Sequence, residues 1–390
     1  MNNHKCMLLM LCFATVFLLT GCWDQVSIED RGFVVATAVD RLDQTKEGNP
    51  QIQLTSQFVI PSGLGSPAQG SSDAKPYANI SASGDSVYMA DQKMHTLTSK
   101  LPFLEHLQVL IVSEEVAATP YLFRSIIDLY IREQEMRRGI KVLIAKGSAK
   151  DILDIDTAGE KLPANYLDKM LESGMKKTGF VEPVRIGDVH EFLIGEDSYT
   201  IPKVSFSEKR PLYEGGAVYD GKRNQLVGMF NPENMLSLNL LLGKSKGMTI
   251  KVPFEDQLMI VKLLDTRCTV KINPEKGITP SINIHLELDG HIAEMFGTET
   301  HFDAKSLAVL KKAAEEKVET MFQESISKAQ HELQVDVFHF GKMMERRHPD
   351  WWKKVKDDWD SGESYFAKST VDVEAVMNIR STGSGETYQY

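Results

Sequence analysis

The sequence predicts an α+β protein with mixed and antiparallel sheets flanked by helices, and three observations predict it. Strand-like and helix-like segments alternate between residues 33 and 145, strand segments separated by turn residues follow between 248 and 288, and a helical pattern of about 30 residues comes after them. With 390 residues and 42% hydrophobic content, two or three globular domains are expected.

Residues 1–21 read as a targeting segment: a polar start with Lys5, an apolar run from Cys6 to Leu19, then Thr20 and Gly21 before Cys22. That run is 14 residues long, short of the ~20 needed to span a bilayer. Leu19-Thr20-Gly21-Cys22 has the lipobox pattern, in which small residues fit the peptidase cleft and the cysteine thiol accepts a diacylglyceryl group before cleavage. Cys22 is therefore expected to become the acylated first residue. The competing reading is an ordinary signal peptide with a chance cysteine after the cut. Each buried CH₂ contributes ~0.8 kcal/mol and one chain binds only reversibly, so S-diacylglyceryl and N-acyl groups together hold a protein stably.

Losing Lys5 takes the net charge from −10 to −11, which disfavours nucleic acid as a partner. Of the four cysteines, Cys6 and Cys12 leave with the signal peptide and Cys22 becomes a thioether. Cys268 is left alone, so the fold must rest on its cores with no internal disulfide.

Phe33 to Val39 and Gln51 to Ile60 are rich in Val, Ile, Phe and Thr and predict strands. Pro61 to Lys75 is Gly-, Ser- and Pro-rich and predicts a mobile loop. From a cap at Asp85, the spacing Val87, Ala90, Met94, Leu97 predicts a helix ending near Pro102; strand Leu107 to Val112 follows. Thr119-Pro120 then predicts a capped helix start, with Phe123, Ile126, Ile127, Tyr130 and Ile131 as its apolar face, and Ile140 to Ala145 the next strand. A polar interval at Lys203 to Pro211 precedes a hairpin, Gly216 to Tyr219 and Gln225 to Phe230 around Asp220-Gly221, where a second module is expected to begin.

Met248 to Val252, Cys268 to Ile272 and Ser281 to Leu288 predict an antiparallel meander. Asp303 is the expected cap of the long helix, whose stripe Leu307, Leu310, Ala314, Val318, Met321, Phe322, Ile326, Ala329 and Leu333 advances by three and four. Its expected partner is the meander rather than a coiled-coil helix. A last strand, Ser369 to Ile379, precedes a Gly/Ser tail.

Known chemistry is hard to find. There is no G-x-S-x-G elbow, H-E-x-x-H helix or P-loop. His285, His291 and His301 fall on different expected elements and imply no single metal-binding face. Ser325-Ile-Ser-Lys328, Ser281-Ile-Asn283 and Lys177-Thr178-Gly179 match the letters of the penicillin-binding set. Their order is reversed, however, and Ser325 lies deep in the long helix rather than at a helix start. No catalytic, metal or cofactor residue is assigned.

Two clusters are weighed as interaction surfaces. Trp351 and Trp352, in the aromatic and charged run from Gly341 to Trp359, form either a docking surface or, as the composition favours, a helical excursion burying Trp351, Trp352 and Trp359. Arg132, Glu133, Arg137 and Arg138 form either an anion site or, preferably, a capping ion-pair network.

The chain resembles the C-subunit lipoproteins of the nutrient germinant receptors of endospore-forming bacteria. The likeness opens at Gly21-Cys22-Trp23-Asp24 and runs through Ile28 to Val34 and Asp40. It returns at Leu104 to Val116, Arg132 to Arg137, Gly216 to Tyr219, Leu226 to Gly228 and Phe340-Gly341 to Trp352. It departs in the long loop after Pro61 and at Ala38-Val39, where a glycine-containing pair is common.

The resemblance implies three domains: residues 22–205 with a mixed sheet and a flexible loop at 61–80, a small middle domain at 206–255, and residues 256–390 with an antiparallel sheet and the long helix. It also implies a non-catalytic subunit on the outer face of the spore inner membrane. Its partners there are integral-membrane A- and B-type subunits, in a receptor for amino acids, sugars or similar nutrients. The nutrient itself is generally attributed to a membrane subunit, so only the lipidated Cys22 is carried over as a functional residue. A different class, the substrate-binding lipoprotein of an importer, would require two doubly wound lobes around a cleft; a cell-wall enzyme is third.

Overall fold

Two sheets carry the chain in the computed structural model, which describes residues 27–42, 51–65, 75–133, 135–157, 159–179, 181–245, 247–254, 257–274, 279–296 and 304–381. The targeting segment, Cys22, residues 66–74 of the expected loop, His301, the Asp303 cap and the Gly/Ser tail lie outside them.

After a 3-10 turn at Ile28–Asp30, β1 (Arg31–Leu42) and β2 (Gln51–Val59) pair antiparallel, and β3 (Tyr77–Gly84) pairs with β2. β3 begins inside the stretch expected to be loop, because Tyr77 to Ile80 find an open sheet edge that local composition does not reveal. In α1 (Val87–Met94) the cap is Ser86, not Asp85: its hydroxyl accepts from the Met89 amide. Leu97 lies past the helix end and is exposed.

The short β4 (Leu101–Phe103) and then β5 (Val109–Ser113) both run parallel to β1. A short α2 (Glu114–Ala118) leads to α3 (Leu122–Arg132), which buries Phe123, Ile126, Ile127 and Tyr130 as expected. Thr119 is not its cap. Tyr121 turns into the left-handed region at φ 61° before Leu122, and the Thr119 hydroxyl donates to the Glu115 carbonyl while accepting from Arg41.

β6 (Lys141–Lys146) follows, then α4 (Ala149–Ile152), α5 (Pro163–Thr178), α6 (Ile186–Gly195), and β7 (Tyr199–Ser207). The polar interval is the hairpin joining β7 to β8 (Arg210–Asp220), with Glu208 and Lys209 both at positive φ as a tight primed turn demands. β9 (Gln225–Phe230) completes the expected second hairpin.

Among the described residues the order is β3-β2-β1-β5-β6-β7-β8-β9, with β4 beside β1. The central β1-β5-β6-β7 pairs are parallel and the flanks antiparallel, so the expected mixed sheet is present. Both faces are covered: α1, α3 and α6 share one core with Val112 and Ile144, while α4 and α5 share the other with Ile111 and Leu143. That is why β5 and β6 read as unbroken apolar runs rather than alternating ones.

α7 (Pro232–Leu241) opens with a reciprocal Asn231–Asn234 cap. β10 (Met248–Phe254), β11 (Gln257–Asn273) and β12 (Ser281–Phe296) form the expected meander. α8 (Ala304–Ser327), continued by a π-helical turn at Lys328–Leu333, buries Leu310, Ala314, Val318, Met321, Phe322 and Ile326 in the same core as that sheet. Then come α9 (Phe340–Arg347), α10 (Pro349–Val355), α11 (Tyr365–Lys368) and β13 (Thr370–Ser381).

β13 returns parallel to β12, so the second sheet is not wholly antiparallel: the α8 crossover brings the chain back to the start of β12. Glu315 and Glu319, one turn apart on α8, accept at 2.8 Å from the Met377 and Ala375 amides and so satisfy donors on the open edge of β13.

Residues 206–255 do not make a sheet of their own. β8 and β9 extend the large sheet, and α7 and β10 belong to the second core. The β8 alternation explains the split: Ala217 and Tyr219 face the core of α3, whereas Val218, with Phe230, faces that of α8.

Candidate functional site

The decoy letters lie apart. Ser325 is fully buried in α8, where its hydroxyl donates to the Met321 carbonyl at 2.7 Å and accepts from Asn234 Nδ2 at 3.0 Å, tying α7 to α8. Ser281 opens β12 and Gly179 follows the end of α5. His285 Nδ1 meets Glu374 across β12 and β13 at 3.0 Å, six residues from His291. Among the described residues no three His, Cys, Asp or Glu side chains gather as a metal site would require, and no helix is long and apolar enough to cross a membrane.

Three surface features remain. The first is a cavity of about 220 Å³ between α1, β4 and the end of α3. Thr37 and Tyr130, hydrogen-bonded at 2.7 Å, lie at it, with Leu54, Leu129 and Met136 on its walls and Asp91, His95, Glu133 and Glu135 around it. Burial raises the Asp91 carboxyl, neighbouring His95 draws it back down, and Glu135 raises it further. The Arg132 cluster is thereby divided: Arg132 holds Asp128 at 2.6 Å on the exposed side of α3, while Glu133 lines this cavity. Arg137 is exposed in the turn before β6. The cavity rim is acidic, which opposes the anion site weighed from sequence.

The second is a polar cleft of about 230 Å³ where the large sheet meets the C-terminal helices. Asp336 is its keystone. The carboxylate accepts from the Phe340 amide at 3.1 Å, the Gly341 amide at 2.7 Å and Trp359 Nε1 at 2.8 Å. Burial raises its pKa, and the hydrogen bonds from Gly341 and Trp359 pull it partly back. Across the cleft Lys342 pairs with Asp197 at 3.1 Å, Lys222 pairs with Asp360 at 2.9 Å, and His339 Nε2 lies 3.1 Å from the Ser198 carbonyl.

Trp351 and Trp352 pack edge-on against Trp359 at 81° and 70°. Only Trp359 is buried; the other two are half-buried, so the helical excursion closes the second core but leaves part of both rings at the surface. Gly341 permits the approach, since a Cβ there would come within 2.6 Å of Trp352 Cη2. Sequence reasoning missed Asp336: a lone acid between Val335 and Val337 gives no local sign that it will cap α9 and hold an indole.

The third is the face from which the chain runs back toward residue 22. Ser27, Ile28, Arg31, Phe33, Phe103, Glu105 and His106 line an open hollow there, so Arg31 shares it with a carboxylate. The Arg31 guanidinium sits 4.2 Å above the Phe103 ring, and Phe33, Phe103 and His106 pack together with centroids 5.5 to 5.8 Å apart.

With that geometry in hand, comparison with known proteins gives consistent matches. Residues 24–206 match the spore germination protein N-terminal domain, and residues 214–383 the spore germination B3/GerAC-like C-terminal domain. The chain is 27% identical to spore germination protein YndF of Bacillus subtilis, over 97% of this chain and 96% of that one. It is 25% identical to spore germination protein KC of the same organism, with the same shares covered. The crystal structure of the GerBC protein superposes with a TM-score of 0.61 at 20% identity, covering 92% of this chain and all of that one, a likeness of fold.

Proposed function

Because the chain belongs to the spore germination B3/GerAC-like family, we propose that it is a non-catalytic subunit of a nutrient germinant receptor. The S-diacylglyceryl and N-acyl groups on Cys22 hold it on the outer face of the spore inner membrane, beside integral A- and B-type subunits that respond with it to the nutrient.

The observation that carries this reading is the continuity of two domain matches across residues 24–383, directly after the lipobox Leu19 to Cys22. The surfaces agree with a subunit that works by contact. The first cavity is bordered by the Asp91–His95 pair, and the inter-sheet cleft holds the Lys342–Asp197 and Lys222–Asp360 pairs and the capping bonds of Asp336. Burial raises the Cys268 thiol to about 11, away from the thiolate that a reactive cysteine needs. The importer reading loses support, since one mixed sheet joined to a four-stranded sheet under α8 is not a pair of doubly wound lobes.

Cross-linking the anchored protein in spore membranes tests the proposal. The expected captures are A- and B-type germinant receptor subunits; reproducible capture of an importer permease, with no receptor subunit, would overturn it.

A further inference from the structure

Large aliphatic side chains are exposed on the segments that flank the hollow at the start of β1. Ile28 is 70% exposed, Leu101 49% and Leu97 52%, three large aliphatic side chains left in water by the fold. Backbone pairing places them at one end of the sheet: β4 lies parallel to the first residues of β1 with Leu101 opposite Arg31, three residues after Ile28, and the segment carrying Leu97 and Lys100 leads directly into β4. Lys100 is held against this strand, its Cβ 3.4 Å from where a Cβ on Gly32 would lie. Two cationic residues, Arg31 and Lys100, thus lie on the same segments as the aliphatic ones, and the half-buried Arg31 lays its guanidinium on the Phe103 ring.

Scattered exposed aliphatics are ordinary on a protein surface. What singles these out is where the chain goes next. Five residue steps separate Ser27 from Cys22, and a trans polypeptide advances at most ~3.6 Å per residue, so Ser27 lies within about 18 Å of the acylated cysteine. That is less than the ~30 Å thickness of the hydrocarbon core alone. A tether so short brings this end of the large sheet to the lipid headgroups.

We propose that the tip formed by Ile28, Leu97 and Leu101, with Arg31 and Lys100 at its border, is seated in the headgroup region of the bilayer and fixes the orientation of the protein on the membrane. The inference rests on the lipid anchor at Cys22 of the reading above. Aliphatic side chains enter the boundary with the acyl chains, as the apolar face of an interfacial segment does. Arg31 and Lys100 meet phosphates, while the exposed Glu29, Asp30 and Glu105 on the same stretch stay toward water, so the seat depends on the aliphatic side chains and the tether rather than on net charge. The acidic inter-sheet cleft and the Trp351–Trp352 surface belong to other elements and remain available to protein partners.

The test uses the full-length acylated protein in vesicles of phosphatidylcholine and phosphatidylglycerol. Ile28→Cys and Leu101→Cys each receive an environment-sensitive fluorophore through a maleimide. Leu264→Cys, on β11 of the second sheet, and Val309→Cys, on α8, serve as comparison sites that are likewise exposed. Because burial raises the native Cys268 thiol to about 11, labelling near pH 7 favours the introduced, exposed cysteines.

The expected result is several-fold stronger quenching of the 28 and 101 labels by nitroxide-bearing lipid tails than by aqueous iodide, with the reverse order at 264 and 309. Quenching confined to 264 or 309, or all four labels open to iodide, overturns the seat. Intact mass of the amino-terminal peptide is read on the same samples. If the S-diacylglyceryl and N-acyl groups are present and the labels are in water, the seat alone falls; if the peptide is unacylated, the anchor falls and the seat with it.

Discussion

Removing the Asp336 carboxylate should loosen the junction between the second core and the large sheet. Asp336→Ala strips the acceptor from two amides at the start of α9 and from the Trp359 indole. Each buried donor left without a partner costs about 1–3 kcal/mol, and loss of a helix cap costs about 1 kcal/mol of that kind. Against this, the variant no longer buries a carboxylate that is only 6% exposed, and the adjoining cleft of about 230 Å³ admits water to the α9 amides. The net expectation is a loss of about 2–4 kcal/mol, most of it through the indole and the Gly341 amide.

Urea unfolding followed by tryptophan emission reads this locally, because three of the four tryptophans, Trp351, Trp352 and Trp359, surround the site. The same assay on Trp359→Phe should lose about 1–2 kcal/mol, and the double variant should lose less than the sum, since both remove one shared bond. A midpoint for Asp336→Ala indistinguishable from the parent, or additive losses in the double variant, would refute the keystone role.

Phe322→Ala, in the middle of the buried stripe of α8, should cost about 3–5 kcal/mol in the same unfolding experiment, whereas Val309→Ala on the exposed side should cost little. Tyr219→Phe should stabilise by about 1 kcal/mol, because the Tyr219 hydroxyl is buried among the described residues without a hydrogen-bond partner; a loss of stability would show that the hydroxyl has one. Burial raises the Tyr130, Tyr199 and Tyr219 phenols above their ordinary value of 10.0. Their contribution to stability is therefore complete below pH 10 and is lost as pH rises from there toward the native values. Spectrophotometric titration should find these three phenols protonated until the protein unfolds.

Much of the fold is legible wherever pattern is local. The stripe from Leu310 to Leu333, the alternation in Met248 to Val252 and the Asp220-Gly221 turn each announce their element from neighbouring residues alone. Long-range pairing is not announced. β3 and β7 read as loop and polar interval because their stability comes from neighbours: β2 for Tyr77 to Gly84, and, for Lys203, β6 together with an ion pair to Glu114 at 2.6 Å. The helix Pro163–Thr178 went unassigned although Ala164, Leu167 and Leu171 hold helical spacing and are fully buried. Gly174 and the surrounding charges dilute that signal.

The candidate site divides in the same way. Cys22 and the aromatic run are readable as short motifs, but Asp336 acts on residues up to 23 positions away and Asp40 on the Ala149 and Lys150 amides more than 100 positions away. Such roles come from the tertiary fold. Within 206–255, consecutive residues of β8 serve opposite cores, a division that the local pattern does not announce.

The decisive experiment on the lipid anchor replaces Cys22 with alanine in spores. The protein should then leave the inner membrane fraction and nutrient-triggered germination should be lost, while germination by a receptor-independent stimulus persists. Spores that germinate normally on nutrient with the unacylated protein in the soluble fraction would contradict the anchored role.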